Sequence, residues 1–359
     1  MRHSLITLAF LALSATGQTV VNSYIPGITT DGITYFLPRT ELAITITATK
    51  TTRTPGDFNA YAQRYMRLNN VITSPQTEWK IDQITTEAIG VPDKEKAFSI
   101  KLKSNTVAPF ATLTKEGILL CVNGEEKQPT PLAALPKPVS TKNTLNPREY
   151  FTEEILSAGS TAKMAELTAG EIYDIRESRN LLNKGEADFM PKDGQQLKLM
   201  LEGLAKQEEA LLQLFKGTTE TATYTYRIIY NPTQDTDRDV LFRFSKQLGI
   251  VEKDNLAGAP VYIRVTDKQT APQPVEDPDA KKSKKTKELN DLRYNVPSEV
   301  AISIFAGNHE FTHAVYPMGQ FGYVEHLGGD LFNKKNMTRV SLHPTNGGLK
   351  KIEAASPQQ

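Results

Sequence analysis

The sequence predicts an α+β fold in which two β-rich domains are joined by a central antiparallel helical hairpin. Apolar and polar residues alternate with a period of two near both ends of the chain, as they do in half-buried strands. Between these regions, over residues 152–215, apolar residues recur at spacings of three and four, which indicates helices. A proline-rich stretch at 124–148 separates the first β region from the helices and is typical of a linker.

The chain opens with the features of a secretory signal peptide, which we place at residues 1–17. Arg2 and His3 give a positive start, Leu5–Leu13 is an apolar run, and small residues precede the expected cut before Gln18. The apolar run is too short to cross a bilayer, and no later segment approaches the length of a membrane helix. We therefore expect an exported chain with no transmembrane segment after cleavage.

Composition excludes some classes of partner and of chemistry. Lysine plus arginine number 42 and aspartate plus glutamate number 41, so we expect no general attraction to nucleic acid. Cys121 is the only cysteine, so it cannot form an internal disulfide. Because it lies within the apolar run GILLCV, we expect a buried thiol with no catalytic role.

The first β-rich domain is predicted to span residues 18–123 and to carry one short helix. In ITYFLPRTELAITITATK, apolar residues alternate with polar ones, which predicts a half-buried strand over 33–50. The segment TPGDFNAYAQRYM follows, with a turn and then aromatic residues on one helical face. Further strands are expected at 77–86, 97–103 and 117–122.

A helical hairpin is predicted over residues 149–217. The first helix should run over about 160–184 and end near Gly185. The second should begin near Asp193, a good N-cap residue, and end at Gly217.

Glu208 falls on the apolar seam of the second helix, between Leu204 and Leu211. An unpaired carboxylate buried there would strongly destabilise the fold. We therefore predict that Glu208 pairs with a cation from the first helix, and Arg176 and Arg179 are the candidates.

The second β-rich domain is predicted over residues 218–359, with a charged loop at 267–292. That loop is rich in proline and charge and has hardly an apolar residue, so it should be solvated. Its lysines could dock an acidic surface, or the loop could simply connect two strands. These lysines occupy positions 281, 282, 284, 285 and 287.

The two β regions carry an internal repeat. The segment YNVPSEVAISI, residues 294–304, resembles YFLPRTELAITI, residues 35–46. Each β region also ends in a similar phrase, LTKEGILLCV in the first and LHPTNGGLKKI in the second. Two matches in the same order predict related β regions on either side of the helices.

The stretch HEFTH, residues 309–313, fits the H-E-x-x-H pattern of zinc proteases. On a helix, His309 and His313 would share a face and hold one Zn²⁺, while Glu310 would activate the metal-bound water. The context predicts a strand instead, because Gly307-Asn308 after the alternating YNVPSEVAISIF is a hairpin signal.

On a strand, the side chains of the motif should divide between two faces. We expect His309, Phe311, His313 and Val315 on one face, and Glu310 and Thr312 on the other, so that Glu310 points away from any metal. A third ligand is missing from the places usual in zinc proteases, and the irregular candidates are Glu325, His326 and Asp330. Binding of a metal by His309, His313 and His326 without catalysis stays open at this point.

A second motif, Ser160-Thr161-Ala162-Lys163, fits the S-x-x-K pattern of serine acyltransferases. No K-T-G strand follows it, and the motif falls at the start of a predicted helix. Ser160 is therefore better explained as a helix N-cap than as a nucleophile.

Five segments together resemble one known family. They are YFLPRTELAITI, TPGDFNAYAQRYM, the helical phrase EIYDIRESRNLLNKGEADFMPKDGQQLKLMLEGLAKQEEALLQLFKG, YNVPSEVAISI and GQFGYVEHL. They resemble an uncharacterised family of exported proteins from Bacteroidetes-type Gram-negative bacteria, known as a domain of unknown function. The likeness covers nearly the whole mature chain, and the helical phrase is its most specific part. The resemblance implies a periplasmic or outer-membrane-associated location, and it implies no activity and no catalytic residues.

We therefore expect an exported, non-catalytic binding or scaffold protein of the bacterial cell envelope. Its partner should be a protein or an envelope component, and we assign no cofactor and no catalytic or metal-binding residue. Sheet edges, the loop lysines and the outer face of the helical hairpin are the expected contact surfaces. The alternative is a zinc-dependent hydrolase that uses His309, Glu310 and His313.

Overall fold

The computed structural model describes residues 32–101, 111–141, 145–272, 292–327 and 338–354. The predicted signal peptide, the lysines of the charged loop and Asp330 lie outside these residues.

The described chain is rich in β-strands and has a few helices, as the sequence predicts. Its strands are β1 (Gly32–Thr54), β2 (Gln76–Lys101), β3 (Ala111–Leu113), β4 (Leu119–Val122), β5 (Val139–Thr141), β6 (Thr218–Tyr230), β7 (Thr236–Ser245), β8 (Gly249–Val251), β9 (Ala259–Asp267), β10 (Leu292–Ala306), β11 (His309–Leu327), β12 (Thr338–Leu342) and β13 (Leu349–Ala354). Its helices are α1 (Ala62–Met66), α2 (Glu153–Leu156), α3 (Thr161–Lys184) and α4 (Gly194–Lys216), with short 3-10 helices at Asn59–Tyr61 and Pro147–Tyr150. Within the described residues, no helix has both the length and the apolar character needed to cross a membrane.

The strands form three antiparallel sheets. The first sheet has the order β2-β1-β6-β5, the second β11-β10-β9-β7-β8, and the third β13-β12-β4-β3. The first and third sheets contain strands from both predicted β regions, so the two regions are linked through shared sheets.

The first and second sheets pack against each other around one apolar core. The alternation predicted from the sequence directs every second side chain inward, and each fully buried aliphatic side chain contributes about 1.5–3 kcal/mol relative to its exposed state. The fully buried residues include Leu42, Ile44 and Ile46 of β1 and Val300, Ile302 and Ile304 of β10.

A second core lies against the third sheet, where β1 and β10 begin. Tyr35 and Leu37 of β1 and Leu292 of β10 pack there with Leu119 of β4 and Val340 of β12. Each of the two long strands therefore serves two cores, one with its first residues and the other with its later residues.

Helices α3 and α4 begin and end where the sequence predicts. Ser160 Oγ accepts a hydrogen bond from Lys163 N at 3.3 Å, and Asp193 Oδ1 accepts one from Gln195 N at 3.1 Å. Gly185 ends α3 with φ of 75°, a left-handed conformation that favours glycine.

Glu208 pairs with both predicted cations. Its Oε1 lies 2.7 Å from Arg176 Nε, and its Oε2 lies 2.7 Å from Arg179 Nη1. The Glu208 side chain is only 10% exposed, so each carboxylate oxygen finds a charged donor where an isolated charge would be unstable. The prediction made for this residue is confirmed.

The internal repeat appears as equivalent backbone contacts. Phe36 N donates to Gly117 O at 2.9 Å, and Asn295 N, at the matching position of the second repeat, donates to Gly347 O at 2.9 Å. At the centre of the third sheet, β4 of the first repeat pairs with β12 of the second. The same backbone hydrogen bond therefore occurs within each repeat, and the two repeats meet where β4 pairs with β12.

In both repeats, the hydrogen-bond ladder of the long hairpin is interrupted near the proline of the first strand. Proline has no N–H to donate to a ladder. The β1–β2 pairing jumps from Phe36↔Ala97 to Pro38↔Pro92, and the β10–β11 pairing jumps from Val296↔Tyr323 to Ser298↔Met318. Each jump leaves a stretch of the partner strand outside the ladder, at 93–96 and at 319–322. We call these two stretches the excursions.

Tyr35 links the two repeats through its hydroxyl group. The hydroxyl accepts a hydrogen bond from Arg293 N at 2.8 Å and donates one to Arg293 O at 3.2 Å. Burial raises the pKa of Tyr35 above its ordinary value of 10.0, and the backbone hydrogen bond at Arg293 offsets only part of this shift.

We predict that the free energy of unfolding falls less steeply at alkaline pH in Tyr35→Phe than in the wild type. Because the folded pKa lies above the unfolded value of about 10, the contribution of Tyr35 is complete below that pH and is lost as the pH rises through the folded pKa. Above about pH 10, the wild type should lose up to about 1.4 kcal/mol more per pH unit than the variant. The measurement is the free energy of unfolding in urea between about pH 8 and 11.5. An identical pH dependence in the two proteins would contradict the assignment.

Candidate functional site

The HEFTH stretch lies at the start of a strand. β10 and β11 form a hairpin whose turn is Gly307-Asn308, with Ala306 opposite His309. Gly307 has φ of 56°, the left-handed conformation that a two-residue hairpin turn requires. The predicted hairpin is confirmed, and residues 309–313 do not form the helix on which a zinc-protease motif depends.

A β-bulge changes which side chains of the motif share a face. The ladder pairs Phe305 with Glu310 and Ile304 with Thr312, so Phe311 has no partner on β10. Because of this extra residue, Glu310 and His313 lie on the same face, with Glu310 Oε1 3.6 Å from His313 Nδ1. The expectation that Glu310 points away from His313 is therefore wrong, since a simple alternation takes no account of a bulge.

The same bulge separates the two histidines. The His309 ring meets Phe311 edge-on, with ring centroids 4.6 Å apart, and Phe311 packs against the core of the two large sheets. His313 lies on the other face, where its Nδ1 is 2.9 Å from Ser303 Oγ. The expectation that both histidines share one face is also wrong, and the two imidazoles do not converge as a zinc protease requires.

Ser303, His313 and Glu310 form a polar cluster without the geometry of a catalytic triad. Both Ser303 Oγ and Glu310 Oε1 approach the same ring nitrogen of His313, at 2.9 and 3.6 Å. In a serine triad, the hydroxyl and the carboxylate bind different ring nitrogens, so that one holds the imidazole while the other gives it a proton. The cluster therefore cannot pass a proton along in this way.

His326 lies at the opposite end of β11 from His309. Its Nδ1 is 3.3 Å from Oε1 of the neighbouring Glu325. Across the five described ranges, no group of three or more histidine, cysteine, aspartate or glutamate side chains is placed to hold a metal ion. The structure thus brings Glu325 to His326 but does not bring either to His309 and His313.

The remaining sequence candidates have structural roles. Ser160 Oγ caps α3, and Lys163 Nζ pairs with Glu166 Oε1 at 3.0 Å, so the S-x-x-K residues are accounted for by the start of a helix. Cys121 is fully buried in β4, with its Sγ 3.6 Å from Ser341 Oγ. The prediction of a buried thiol is confirmed.

A cleft between the two excursions is the strongest candidate for a binding site. Residues 93–95 of the first excursion and Gln320 of the second both line it, together with residues that include Arg39 of β1 and Asn231 after β6. Its volume is about 540 Å³, which falls within the range of roughly 300–1,000 Å³ found for ligand pockets. We call it the inter-repeat cleft.

The Gln320 side chain is held in this cleft by backbone hydrogen bonds of the kind that a neighbouring strand would make. Its Oε1 accepts a hydrogen bond from Thr40 N at 2.9 Å, and its Nε2 donates to Thr40 O at 2.7 Å and to Pro232 O at 3.0 Å. β6 pairs with β1 only from Leu42 onward, so the carboxamide takes the place of the missing neighbour at Thr40. Thr40 is fully buried, and its backbone groups would otherwise have no partner.

The inter-repeat cleft presents both signs of charge on a fixed backbone. Arg39 Nη2 lies 2.9 Å from Glu41 Oε1, and 40% of the Arg39 side chain is exposed, so the guanidinium keeps donors for a ligand. Asp93 Oδ1 accepts a hydrogen bond from Glu95 N at 3.1 Å, which shapes the first excursion, and Lys94 is exposed. The lining can therefore bind a polar ligand that carries both donors and acceptors.

Tyr230 stays neutral beside the cleft, one residue before Asn231. Burial, together with the nearby Asp239 carboxylate, raises the pKa of Tyr230 to about 12. The phenol therefore keeps its proton at neutral pH and adds no charge to this end of β6.

The inter-repeat cleft is not predictable from the sequence. Its walls come from four separate parts of the chain, and no short motif marks them. The available signal was the proline inside each alternating strand, because such a proline is typical of a bulge or of a strand edge. The residues that meet across the interruption depend on contacts between distant segments.

We predict that Gln320→Leu destabilises the fold and deforms the inter-repeat cleft. The change leaves the N–H and C=O of Thr40 buried without partners, which should cost roughly 2–4 kcal/mol in the free energy of unfolding. Denaturation in urea measures this loss, and the exposed Gln247→Leu is the matched control, which should change stability by less than about 0.5 kcal/mol. Equal stabilities of the two variants would show that the carboxamide does not replace a strand.

Comparisons with known proteins identify a family and no activity. No curated protein and no solved structure matches the chain. A family model described as a domain of unknown function, DUF4831, matches residues 31–350, which include both repeats, the helices and the inter-repeat cleft. This match agrees with the resemblance that the sequence segments indicate. The chain therefore belongs to the DUF4831 family of domains of unknown function.

Proposed function

We propose that this chain is an exported, non-catalytic binding or scaffold protein of the bacterial cell envelope, located in the periplasm or at the outer membrane. The signal-peptide pattern at residues 1–17 supports export. The observation that carries the binding function is the inter-repeat cleft, an open pocket lined by charged and amide side chains of β1, of the two excursions and of the segment after β6.

The build of the inter-repeat cleft suits binding better than catalysis. Arg39 lies on the β1–β2 ladder, Gln320 is held by its hydrogen bonds to Thr40, and Asp93 shapes the first excursion, which gives a ligand preorganised contacts. The described lining residues include neither histidine nor serine nor cysteine, the side chains that most often act as nucleophile or general base. Arg39 and Lys94 can pair with carboxylates, and Asp93 and Glu95 can pair with cations. A polar, mixed-charge segment of a protein fits this lining.

The architecture that we propose with this function is two β-rich domains joined by an antiparallel helical hairpin. The matching contacts of Phe36 and Asn295 support a duplicated β unit. The pairing of Arg176 and Arg179 on α3 with Glu208 on α4 supports helices that fold back on each other. The strands shared between the two domains would hold the walls of the inter-repeat cleft at a fixed separation.

Site-specific crosslinking in cells tests the binding function. We predict that a photoreactive amino acid at Asn231, which lines the inter-repeat cleft, captures a discrete envelope partner that mass spectrometry identifies. The control position is Leu256, which is exposed near the opposite end of β7 and should capture little. The change Lys94→Glu should reduce the Asn231 adduct several-fold, because it reverses one charge of the lining. If Asn231 and Leu256 gave the same adducts, and if Lys94→Glu did not change them, the proposal of a partner in the cleft would be contradicted.

Metal analysis separates this function from the zinc-hydrolase alternative. We predict that the mature chain, purified without chelators, contains far less than one zinc per molecule. The reason is that Glu310 and His313 lie on one face of the strand and His309 lies on the other, so the two histidines cannot bind the same ion. Glu310→Gln should leave the folded stability and the Asn231 adduct unchanged. Stoichiometric zinc, together with a hydrolytic activity that Glu310→Gln abolishes, would overturn the binding proposal.

A further inference from the structure

One edge of the first sheet is only partly covered. β6 pairs with β1 along its whole length, from Thr218 to Tyr230. On its other side, β6 pairs with β5 over residues 221–223 alone. Within the part of the chain that the structure describes, no strand pairs with β6 on this side beyond Thr223, and the sheet order ends with β5. We call this side of β6, over residues 225–229, the free edge.

The direction of the backbone groups along the free edge follows from Thr221. Its N–H donates a hydrogen bond to Thr141 Oγ1 at 3.2 Å, and its C=O accepts one from the same hydroxyl at 3.2 Å, so both groups point away from β1. Backbone groups alternate in direction along a strand, and the register of β6 with β1 has no bulge. The N–H and C=O groups of Thr225, Arg227 and Ile229 therefore also point away from β1, onto the free edge.

The proline-rich linker passes the free edge without completing the sheet. Ala133 O accepts a hydrogen bond from Arg227 Nη1 at 2.8 Å, and Val139 pairs with Thr223, so the residues between them run beside the edge. Two of these residues are prolines, which favour a polyproline conformation. Its threefold turn cannot keep every second backbone group directed at a neighbouring strand. Every residue over 133–141 is exposed, so little burial holds this cover in place.

The free edge leads into the inter-repeat cleft. Asn231, which lines the cleft, follows the last residue of β6, and Pro232 O accepts a hydrogen bond from Gln320 of the cleft. A segment seated on the free edge therefore has its next residues at the cleft. Unpaired N–H and C=O groups that alternate along a sheet edge are complemented by the backbone of an added strand. The chemistry of this edge thus fits an extended polypeptide and not a small molecule.

We propose that the partner of the inter-repeat cleft contributes an extended segment that pairs with β6 along the free edge. This inference rests on the proposed binding function and adds the form in which the partner binds. The segment displaces linker residues 133–138 and runs antiparallel to β6, as β5 does over residues 221–223. Its end reaches Asn231, where its polar, mixed-charge side chains meet the cleft lining. The backbone pairing supplies affinity, and the cleft supplies specificity.

Hydrogen exchange of the free mature chain, read residue by residue, tests the premise without any partner. The amides of Tyr224 and Tyr226 face β1 and should exchange slowly, whereas those of Thr225 and Arg227 should exchange at least about a hundredfold faster. Thr223, which β5 covers, is the control and should lie between these extremes. Slow exchange at Thr225 and Arg227 would show that the edge is already occupied and would overturn the proposal.

The bound state is tested with a synthetic peptide that spans the partner residue crosslinked to Asn231. This peptide should slow exchange at Thr225, Arg227 and Ile229 and leave Tyr226 unchanged, because only an added strand protects alternate amides. Thr225→Pro removes one outward N–H and no bond to β1, so it should raise the dissociation constant of the peptide about fivefold or more, measured by fluorescence anisotropy. The matched control Thr225→Val keeps the N–H and should bind like the wild type.

A second variant and a stability measurement guard against misfolding. The urea midpoint shows whether Thr225→Pro is folded, and Ile229→Pro, with Ile229→Val as its control, repeats the test at another outward N–H. Peptide binding that protects none of the outward amides, or that is equal in the proline and valine variants, would overturn the added strand and leave the binding function standing. If Asn231 captured no partner at all, the binding function itself would fall, and this inference with it.

Discussion

The fold depends on how the backbone N–H and C=O groups of β1 find hydrogen-bond partners as the strand passes from one sheet to the next. On the side away from β2, its groups find partners in sequence: Phe36 N bonds to Gly117 O, Pro38 O accepts from Asn295 Nδ2 at 3.0 Å, and the N–H and C=O of Thr40 bond to Gln320. From Leu42 onward, β6 takes over as the neighbouring strand. A buried strand that left these groups unpaired would lose about 1–3 kcal/mol for each of them. Two side-chain amides therefore complete a ladder for which the chain supplies no strand.

This arrangement ties the repeats together and also creates the site. Asn295 is fully buried, and its Nδ2 also donates to Asn346 O at 2.7 Å, so one amide joins β1, β10 and the turn before β13. Gln320 belongs to the second excursion, which exists because the ladder is interrupted near a strand proline. The interruption that requires a substitute partner thus also opens the space between the excursions. The rigidity of the inter-repeat cleft and the continuity of the strands have the same physical origin.

Local signals in the sequence were sufficient to predict the helices and the hairpin, but they were not sufficient to predict the inter-repeat cleft. Ser160, Gly185 and Asp193 mark helix ends by chemistry that acts within a few residues, and Gly307-Asn308 marks a hairpin in the same way. The pairing of Glu208 was predictable because a buried charge needs a partner and the facing helix offers two. The bulge at Phe311 was not predictable, because strand alternation does not show where one extra residue leaves the ladder. The inter-repeat cleft depends on Thr40 meeting Gln320, a contact across most of the chain that no local pattern encodes.

The central strand pair of the third sheet also constrains the order of folding. Cys121 lies opposite Ser341, so this sheet cannot close until a residue 220 positions further along the chain is available. Closing so long a loop is entropically costly and makes folding slow. The export that we propose would benefit from such a delay, because the chain would stay unfolded while Ser341 is still being delivered. The contact that finishes the fold would then form only after translocation is complete.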